Sequence, residues 1–202
     1  MIIKIVCAGV NEFSELYKES ENEMLVGVDG GIYQIVNLGK KVDLAVGDFD
    51  SCNIEEVVMH CEKIRVFPKD KDYGDLELAI MEVKDLEFDK IEIYNATGGR
   101  LDHYQATINV LAKYNNLNIE VIDKRNRIRV IDSNINIDDN DFKYLSLFAI
   151  DEGTRITLNG FKYPLNNYLL NRLDNLGLSN EVLEETGEIE VNNKRILLFE
   201  SK

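Results

Sequence analysis

Aspartate recurs in three short stretches of the first half of the chain, each following an apolar run: Asp43-Leu44-Ala45-Val46-Gly47-Asp48-Phe49-Asp50-Ser51, Pro68-Lys69-Asp70-Lys71-Asp72-Tyr73-Gly74-Asp75 and Asn95-Ala96-Thr97-Gly98-Gly99-Arg100-Leu101-Asp102-His103. Carboxylates gathered in one place repel one another and resist desolvation, so a cluster persists only with a cation. Hard oxygen donors select Mg2+ or Ca2+, and Mg2+ commonly arrives with nucleotide phosphate. Asp48 and Asp50 stand two apart, so in extended chain both carboxylates point one way while Phe49 turns back into the protein. The competing reading is a turn in which Asp50 or Ser51 caps the next helix. In the second stretch Asp75 is a natural N-cap, and Lys71 reaches either phosphate or a neighbouring carboxylate. In the third, Gly98 and Gly99 allow close backbone approach, and their N–H groups beside a helix start favour an anion. Arg100 can fork onto phosphate oxygens. Asp102 can accept from a hydroxyl, bind metal or cap the helix. His103 at a helix N-terminus is expected to be a neutral donor.

The elements that position these residues are legible as alternation. Apolar runs at residues 2–8, 24–28, 44–46, 64–67, 91–94 and 119–122 predict strands buried on both faces. Between them lie helices, the clearest with Leu76, Ala79, Ile80 and Val83 on one face, another with Tyr104, Ile108 and Leu111. This alternation predicts an open, mostly parallel α/β sheet. Ligands of such sheets bind beyond the carboxyl ends of the strands, where all three stretches and Asp29-Gly30-Gly31 fall. After residue 123 the pattern changes to strands at 128–131, 144–150, 155–158, 188–191 and 195–199, separated by turn signals. Asn159-Gly160 predicts a hairpin into residues 161–163. This half reads as a small β-sandwich or β-barrel. The charged run Lys124-Arg125-Asn126-Arg127 is the expected linker between domains 1–124 and 125–202.

A net charge of −14 disfavours nucleic acid and anionic lipid as partners. No apolar run approaches a membrane span, and the apolar start reads as a first strand rather than a signal peptide. Three cysteines with no C-x-x-C spacing suit a reduced cytoplasmic protein without a zinc site. Cys7 is expected in the core, and His60 at the surface. There is no G-x-x-x-x-G-K-[ST] and no G-x-G-x-x-G after the first strand, which argues against a P-loop kinase and an NAD enzyme.

Taken in order and spacing, these motifs resemble those of the thiamine pyrophosphokinase family. The resemblance extends to Gly160-Phe161-Lys162-Tyr163-Pro164-Leu165 and Ser179-Asn180-Glu181, and so covers most of the chain. It implies an α/β domain followed by a small antiparallel β-sandwich for thiamine binding and dimerisation. It also implies transfer of the pyrophosphoryl group of ATP to thiamine, and a homodimer with shared sites. By resemblance Asp48, Asp50, Asp72 and Asp75 hold Mg2+ and the ATP phosphates, with Asp29, Gly30, Lys71, Gly98, Gly99 and His103 around the nucleotide. Arg100 and Asp102 act at the transferring group, and Ser179 and Asn180 lie by thiamine. Two departures stand out. Members of the family usually have threonine where Gly74 stands, and some stack thiamine on tryptophan, of which this chain has none. Phe161, Tyr163 and Tyr168 are the available substitutes. Two other readings start from the same residues: a phosphatase of the haloacid dehalogenase type with Asp48 as nucleophile, and a binding protein without catalysis.

Overall fold

The computed structural model describes residues 1–50, 54–70, 72–138 and 141–202. The chain divides into two compact units, Met1–Lys124 and Arg125–Lys202.

In the first unit the apolar runs become six strands: β1 (Ile2–Val6), β2 (Glu23–Val28), β3 (Val42–Gly47), β4 (Cys61–Val66), β5 (Lys90–Tyr94) and β6 (Ile119–Ile122). They lie in the order β4-β3-β2-β1-β5-β6, and every pairing among them is parallel. The connecting helices are α1 (Phe13–Leu16), α2 (Gly31–Val36), α3 (Ile54–His60), α4 (Asp75–Val83) and α5 (Leu101–Lys113). One sheet face packs Val6, Leu25, Ala45 and Tyr94 with Phe13 of α1 and Ile32 and Ile35 of α2. Helix α4 packs on β2 and β3 and buries Leu78, Ala79, Ile80 and Val83; Leu76, expected on that face, is half-buried. On α5 the buried residues are Thr107, Val110 and Leu111, with Tyr104 and Ile108 half-buried at its margin. The strand order changes direction at β1 and β5, whose following loops depart to opposite sides. That is where an open α/β sheet leaves a crevice.

The face that carries Val6 is not wholly apolar. Lys4 is 1% exposed, and its Nζ donates to Glu23 Oε2 and to the Lys18 carbonyl, each at 2.5 Å, and to Ser20 Oγ at 3.2 Å. Tyr17 Oη donates to the other Glu23 oxygen at 2.5 Å, and the ammonium lies 4.8 Å from the Tyr17 ring centre. Burial pushes the Glu23 carboxyl up, but Lys4, Tyr17 and the Ser20 amide outweigh it and hold it below the usual range.

The second unit contains β7 (Asn126–Ile131), β8 (Ile135–Asp138), β9 (Tyr144–Ala149), β10 (Thr154–Asn159), β11 (Leu165–Leu170), β12 (Thr186–Val191) and β13 (Ile196–Ser201). Strand β13 pairs antiparallel with β7 and β9, and the other four form the antiparallel sheet β11-β10-β12-β8. Leu145, Leu147 and Leu198 from one set share a core with Ile156, Leu158 and Ile189 from the other, which makes the unit a sandwich. Three expectations needed correction. Asn126 and Arg127 are not linker: they begin β7, and the Arg127 guanidinium forks onto the fully buried Glu200 at 2.6 and 2.5 Å. Strands β8 and β11 were not expected. The first is only four residues long, and the second carries Asn166-Asn167, with Asn167 in a left-handed conformation where the register with β10 shifts. The hairpin after β10 resumes at Leu165 rather than Phe161. Phe161 instead turns into the core and makes a single bridge to Val182, and Pro164 has no N–H to give a ladder. Gly160 has φ +76, and a Cβ there would lie 2.5 Å from the Thr186 carbonyl oxygen, so the turn admits no side chain.

Candidate active site

Because the six strands run parallel, the loops that leave their carboxyl ends meet at one edge. The Asp29 loop and the Gly47 loop are in direct contact. Asp29 is left-handed (φ +47), its N–H donates to the Val46 carbonyl at 3.0 Å, and its carboxylate fills the space a Gly47 side chain would need. A Cβ on Gly47 would stand 1.8 Å from Asp29 Oδ1. Gly31, two residues on, is equally constrained, since its Cβ would lie 1.9 Å from the Val6 carbonyl oxygen. Gly30 is the N-cap residue of the short α2.

The Asp48–Asp50 pair does not stay extended. Phe49 adopts φ +55 and is buried, as its inward turn required, while the Asp50 N–H donates to Asp48 Oδ1 at 3.2 Å. The two carboxylates are thereby left outside, Asp50 exposed and Asp48 half-buried. The Phe67 N–H donates to the Gly47 carbonyl at 3.0 Å, and Lys69 Nζ reaches Asp50 Oδ2 at 2.7 Å, tying the loop after β4 to the loop after β3. Ser51, Cys52 and Lys71 lie outside the described residues.

Asp75 was expected to cap its helix. It is instead the first residue of α4, and Gly74 is the N-cap with no side-chain cap bond. The Asp75 carboxylate is therefore not consumed by capping its own helix and lies at the favourable end of the helix dipole. Asp72 is exposed beside it. Gly74 has φ −70 and ψ 157, the geometry of an N-cap, and a Cβ there would meet open space. Gly74→Thr should raise the melting temperature by about 2 °C, through a cap hydroxyl and a stiffer unfolded chain. A lowered melting point in scanning calorimetry would refute that geometry.

Cys7, expected in the core, is half-buried at the carboxyl end of β1. Burial, then the charges of Asp29 and Asp75, push its thiol up to about 12. Both aspartates are therefore near the same strand end, although they are 46 positions apart in sequence. The thiol stays protonated and inert at neutral pH.

On the other side of the crevice, Asn95 (φ +58) is buried and accepts from the N–H groups of Glu12 and Phe13 at 2.9 and 3.1 Å, fixing the start of α1. Thr97 Oγ1 donates to Asp123 Oδ2 at 2.7 Å and anchors the glycine loop. Gly98 (φ +77) and Gly99 are exposed, and α5 begins at Leu101. Arg100 and Asp102 engage each other: Nε donates to Oδ1 at 3.1 Å and Nη2 to Oδ2 at 2.5 Å. The Arg100 pair, aided by the His103 N–H, holds the Asp102 carboxyl down to about 2. The His103 ring is exposed, whereas His60 is half-buried at the end of α3.

In the second unit Ser179 (φ +56) follows an exposed apolar loop, and its N–H donates to Ser146 Oγ at 3.0 Å. Asn180 is buried. Its Oδ1 accepts from the N–H groups of Tyr163 and Glu181, and its Nδ2 donates to the Tyr163 carbonyl. Its amide is thus occupied in holding Tyr163.

The structure gathers Asp29, Asp48, Asp50, Lys69 and Asp75 on neighbouring loops. Among the described residues, no three Asp, Glu, His or Cys side chains are already grouped as a metal site. Sequence reasoning placed Lys69 and Thr97 inside the acidic stretches without giving either a role, and it did not anticipate Asp123 as the partner of Thr97.

The first unit thus presents an acidic carboxyl edge on a parallel α/β sheet and a glycine loop opening a helix, and the second unit is a β-sandwich. Residues 16–122 match the thiamin pyrophosphokinase catalytic domain, and residues 132–197 match the thiamin pyrophosphokinase vitamin B1 binding domain. The chain belongs to the thiamin pyrophosphokinase family. It is 34% identical over 176 residues to thiamine pyrophosphokinase of Bacillus subtilis, covering 83% of this chain and 82% of that protein. It is 27% identical to thiamin pyrophosphokinase 1 of Caenorhabditis elegans, over 86% of this chain and 76% of that one. The crystal structure of the Bacillus subtilis enzyme superposes with a TM-score of 0.87 at 29% identity, covering 100% of this chain and 99% of that one. That of thiamin pyrophosphokinase from Geobacillus thermodenitrificans gives 0.85 at 30%, over 100% and 98%. Membership sets aside the phosphatase and the non-catalytic readings.

Proposed function

We propose that this thiamine diphosphokinase transfers the pyrophosphoryl group of ATP to the hydroxyl of thiamine, giving thiamine diphosphate and AMP. The observation that carries the reading is the meeting of the Asp29, Asp48–Asp50 and Asp75 loops at one carboxyl edge. Asp29 is lodged against Gly47, Lys69 bonds Asp50, and Asp29 and Asp75 both act on Cys7. Their donor set is hard carboxylate oxygen, which fits Mg2+ rather than a soft metal. Asp48, Asp50, Asp72 and Asp75 would hold it, with phosphate oxygens completing the shell. Magnesium, when bound, supplies charge neutralisation on the phosphate oxygens and on the departing AMP.

The chain's own groups do the rest. The exposed N–H groups of Gly98 and Gly99 and the start of α5 face anionic oxygens, with Asp29, Gly30, Lys71 and His103 around the nucleotide. The thiamine oxygen attacks the β-phosphorus in line, the bond from that phosphorus to the oxygen retained by AMP breaks, and the hydroxyl proton passes to water or to one of the carboxylates that would hold the metal. Asp102, held to about 2, is a weak base. It orients the hydroxyl or Arg100 rather than taking the proton. Of the three aromatic candidates for thiamine, Phe161 is 3% exposed and belongs to the core, Tyr168 packs partly against it, and Tyr163 is 57% exposed. Tyr163, held by Asn180 and near Ser179, is the aromatic available to the substrate. The loop around Ser179 exposes Leu173 (94%), Leu176, Leu178 and Leu183. That apolar surface supports a homodimer whose partner completes the site. No helix among the described residues is long and apolar enough to cross a membrane, and we place the enzyme in the cytoplasm.

The test is incubation with ATP, Mg2+ and thiamine, with AMP and ADP resolved by chromatography. AMP in equal amount to thiamine diphosphate is expected. ADP without AMP would mean ordinary phosphoryl transfer and would overturn the reading.

A further inference from the structure

Asp72 lies just before α4 and Asp75 is the first residue of that helix, in a segment without a side-chain cap. Its N-cap is a glycine without a side chain, and Asp72, Tyr73 and Gly74 are all exposed. Something else must restrict it before ligand arrives, or each binding event bears the cost of ordering it. A restraint among the described residues comes from the far end of α5. Lys113, in the last turn of that helix, places its ammonium 5.1 Å from the Tyr73 ring centre and 5.7 Å from that of Tyr114. The same ammonium donates to Glu77 Oε1 at 2.5 Å, and Tyr114 Oη donates to the same oxygen at 3.1 Å. Glu77 belongs to the first turn of α4, two residues after Asp75, and its side chain is 15% exposed. One cation thus grips both the loop, through Tyr73, and the helix start, through Glu77.

Helix α5 has 13 residues and so extends about 20 Å. Its first turn carries Asp102 and His103, beside Arg100, and its last turn holds the Asp72–Asp75 loop. We propose that Lys113 is a positioning residue for the pyrophosphoryl transfer: through Tyr73 and Glu77 it pre-orders Asp72 and Asp75, and it makes α5 a strut joining the two halves of the phosphate site. This deepens the functional reading above and rests on it. Lys113 touches no reacting atom. Its loss should weaken engagement of the metal–nucleotide pair and leave the chemical step largely intact once the site is filled.

The experiment uses the full chain with Lys113→Met and Lys113→Arg. In the metal-free protein, hydrogen exchange of the Leu78 amide, which donates to the Gly74 carbonyl at 3.0 Å and closes the first turn of α4, should quicken about fivefold in Lys113→Met. The Mg2+ concentration for half-maximal rate at saturating ATP should rise by about the same factor, with kcat at saturating Mg2+ within about twofold of wild type. Lys113→Arg, which keeps a cation able to stack on Tyr73 and pair with Glu77, should restore both. A merely structural role would lower the melting temperature and the active fraction without moving the half-saturation point. Wild-type exchange and wild-type half-saturation in Lys113→Met, alongside an inactive Asp75→Asn, would overturn the proposal while sparing the metal reading. Full activity in Asp75→Asn would overturn the metal reading, and the proposal with it.

Discussion

Asp50→Asn and Asp75→Asn should each lower turnover by about 10³-fold while leaving the far-ultraviolet spectrum and melting profile near those of the parent. The reasoning is electrostatic. Each substitution keeps the shape of the side chain and removes one negative charge from a site whose task is to balance a cation against phosphate. Neither carboxylate lies in the buried core. Asp50 is exposed and bonds only the exposed Lys69 among its described contacts, and Asp75 opens α4 without capping it. Asp50→Asn frees Lys69, which then competes for phosphate without replacing the lost metal oxygen. The measurement is steady-state production of AMP across a Mg2+ titration. Rates near wild type in both variants, at sub-saturating and saturating Mg2+, would remove the metal assignment. A loss confined to low Mg2+ would make these residues ligands of modest weight.

The second large effect concerns stability. Lys4→Met should destabilise the protein by about 3 kcal/mol, because it leaves the Glu23 carboxylate, whose side chain is only 12% exposed, without its cation. Glu23 would keep only Tyr17 and the Ser20 amide, where it now has Lys4 at 2.5 Å as well. The double variant Lys4→Met with Glu23→Gln should recover most of that loss, since the charge that needed a partner is gone. Urea unfolding of the three variants measures both, and a Lys4→Met midpoint equal to wild type would refute the account. The pH dependence has a definite sign. The Glu23 carboxyl is held below its ordinary value, so its contribution is fully present above the usual glutamate range. That contribution is lost as pH falls through the lowered folded-state value. The Lys4→Met variant should therefore be relatively less sensitive to acid.

Much of the fold was legible because burial writes itself into sequence. A parallel strand covered on both faces is predominantly apolar, and six such runs fell where the six strands lie, with ends shifted by a few residues. Strand β4 shows the limit of that signal. It is the edge strand and mostly exposed, so only Ile64 and its neighbours marked it. The two missed strands failed for a related reason. β8 is four residues long, and β11 carries adjacent asparagines at an irregular register, so neither shows sustained alternation. Charged Arg127 was read as linker because sequence cannot announce a buried Glu200 waiting 73 positions away.

The site was legible in a different way. Motif spacing named Asp48, Asp50, Asp72, Asp75, Arg100 and Asp102, because tight turns at strand ends need glycine and short polar side chains close together in the chain. What those residues touch was not legible. The hydrogen bond from Lys69 to Asp50, the shared influence of Asp29 and Asp75 on Cys7, and the grip of Lys113 on Tyr73 join residues between 19 and 68 positions apart.

The sequence alone determined the strand–helix alternation of the first unit and the acidic character of its loops, since periodicity and turn chemistry act over a few residues, and the order and spacing of its motifs carried the resemblance to the family. Only the tertiary structure decided which partners each polar side chain has. Asp75 is released from capping by Gly74, Asp102 is bound to Arg100, and Asn180 is committed to Tyr163. The reason is that a side chain's chemistry depends on the charges and hydrogen-bond partners within a few ångströms of it, and those arrive from distant parts of the chain only when the sheet and helices pack.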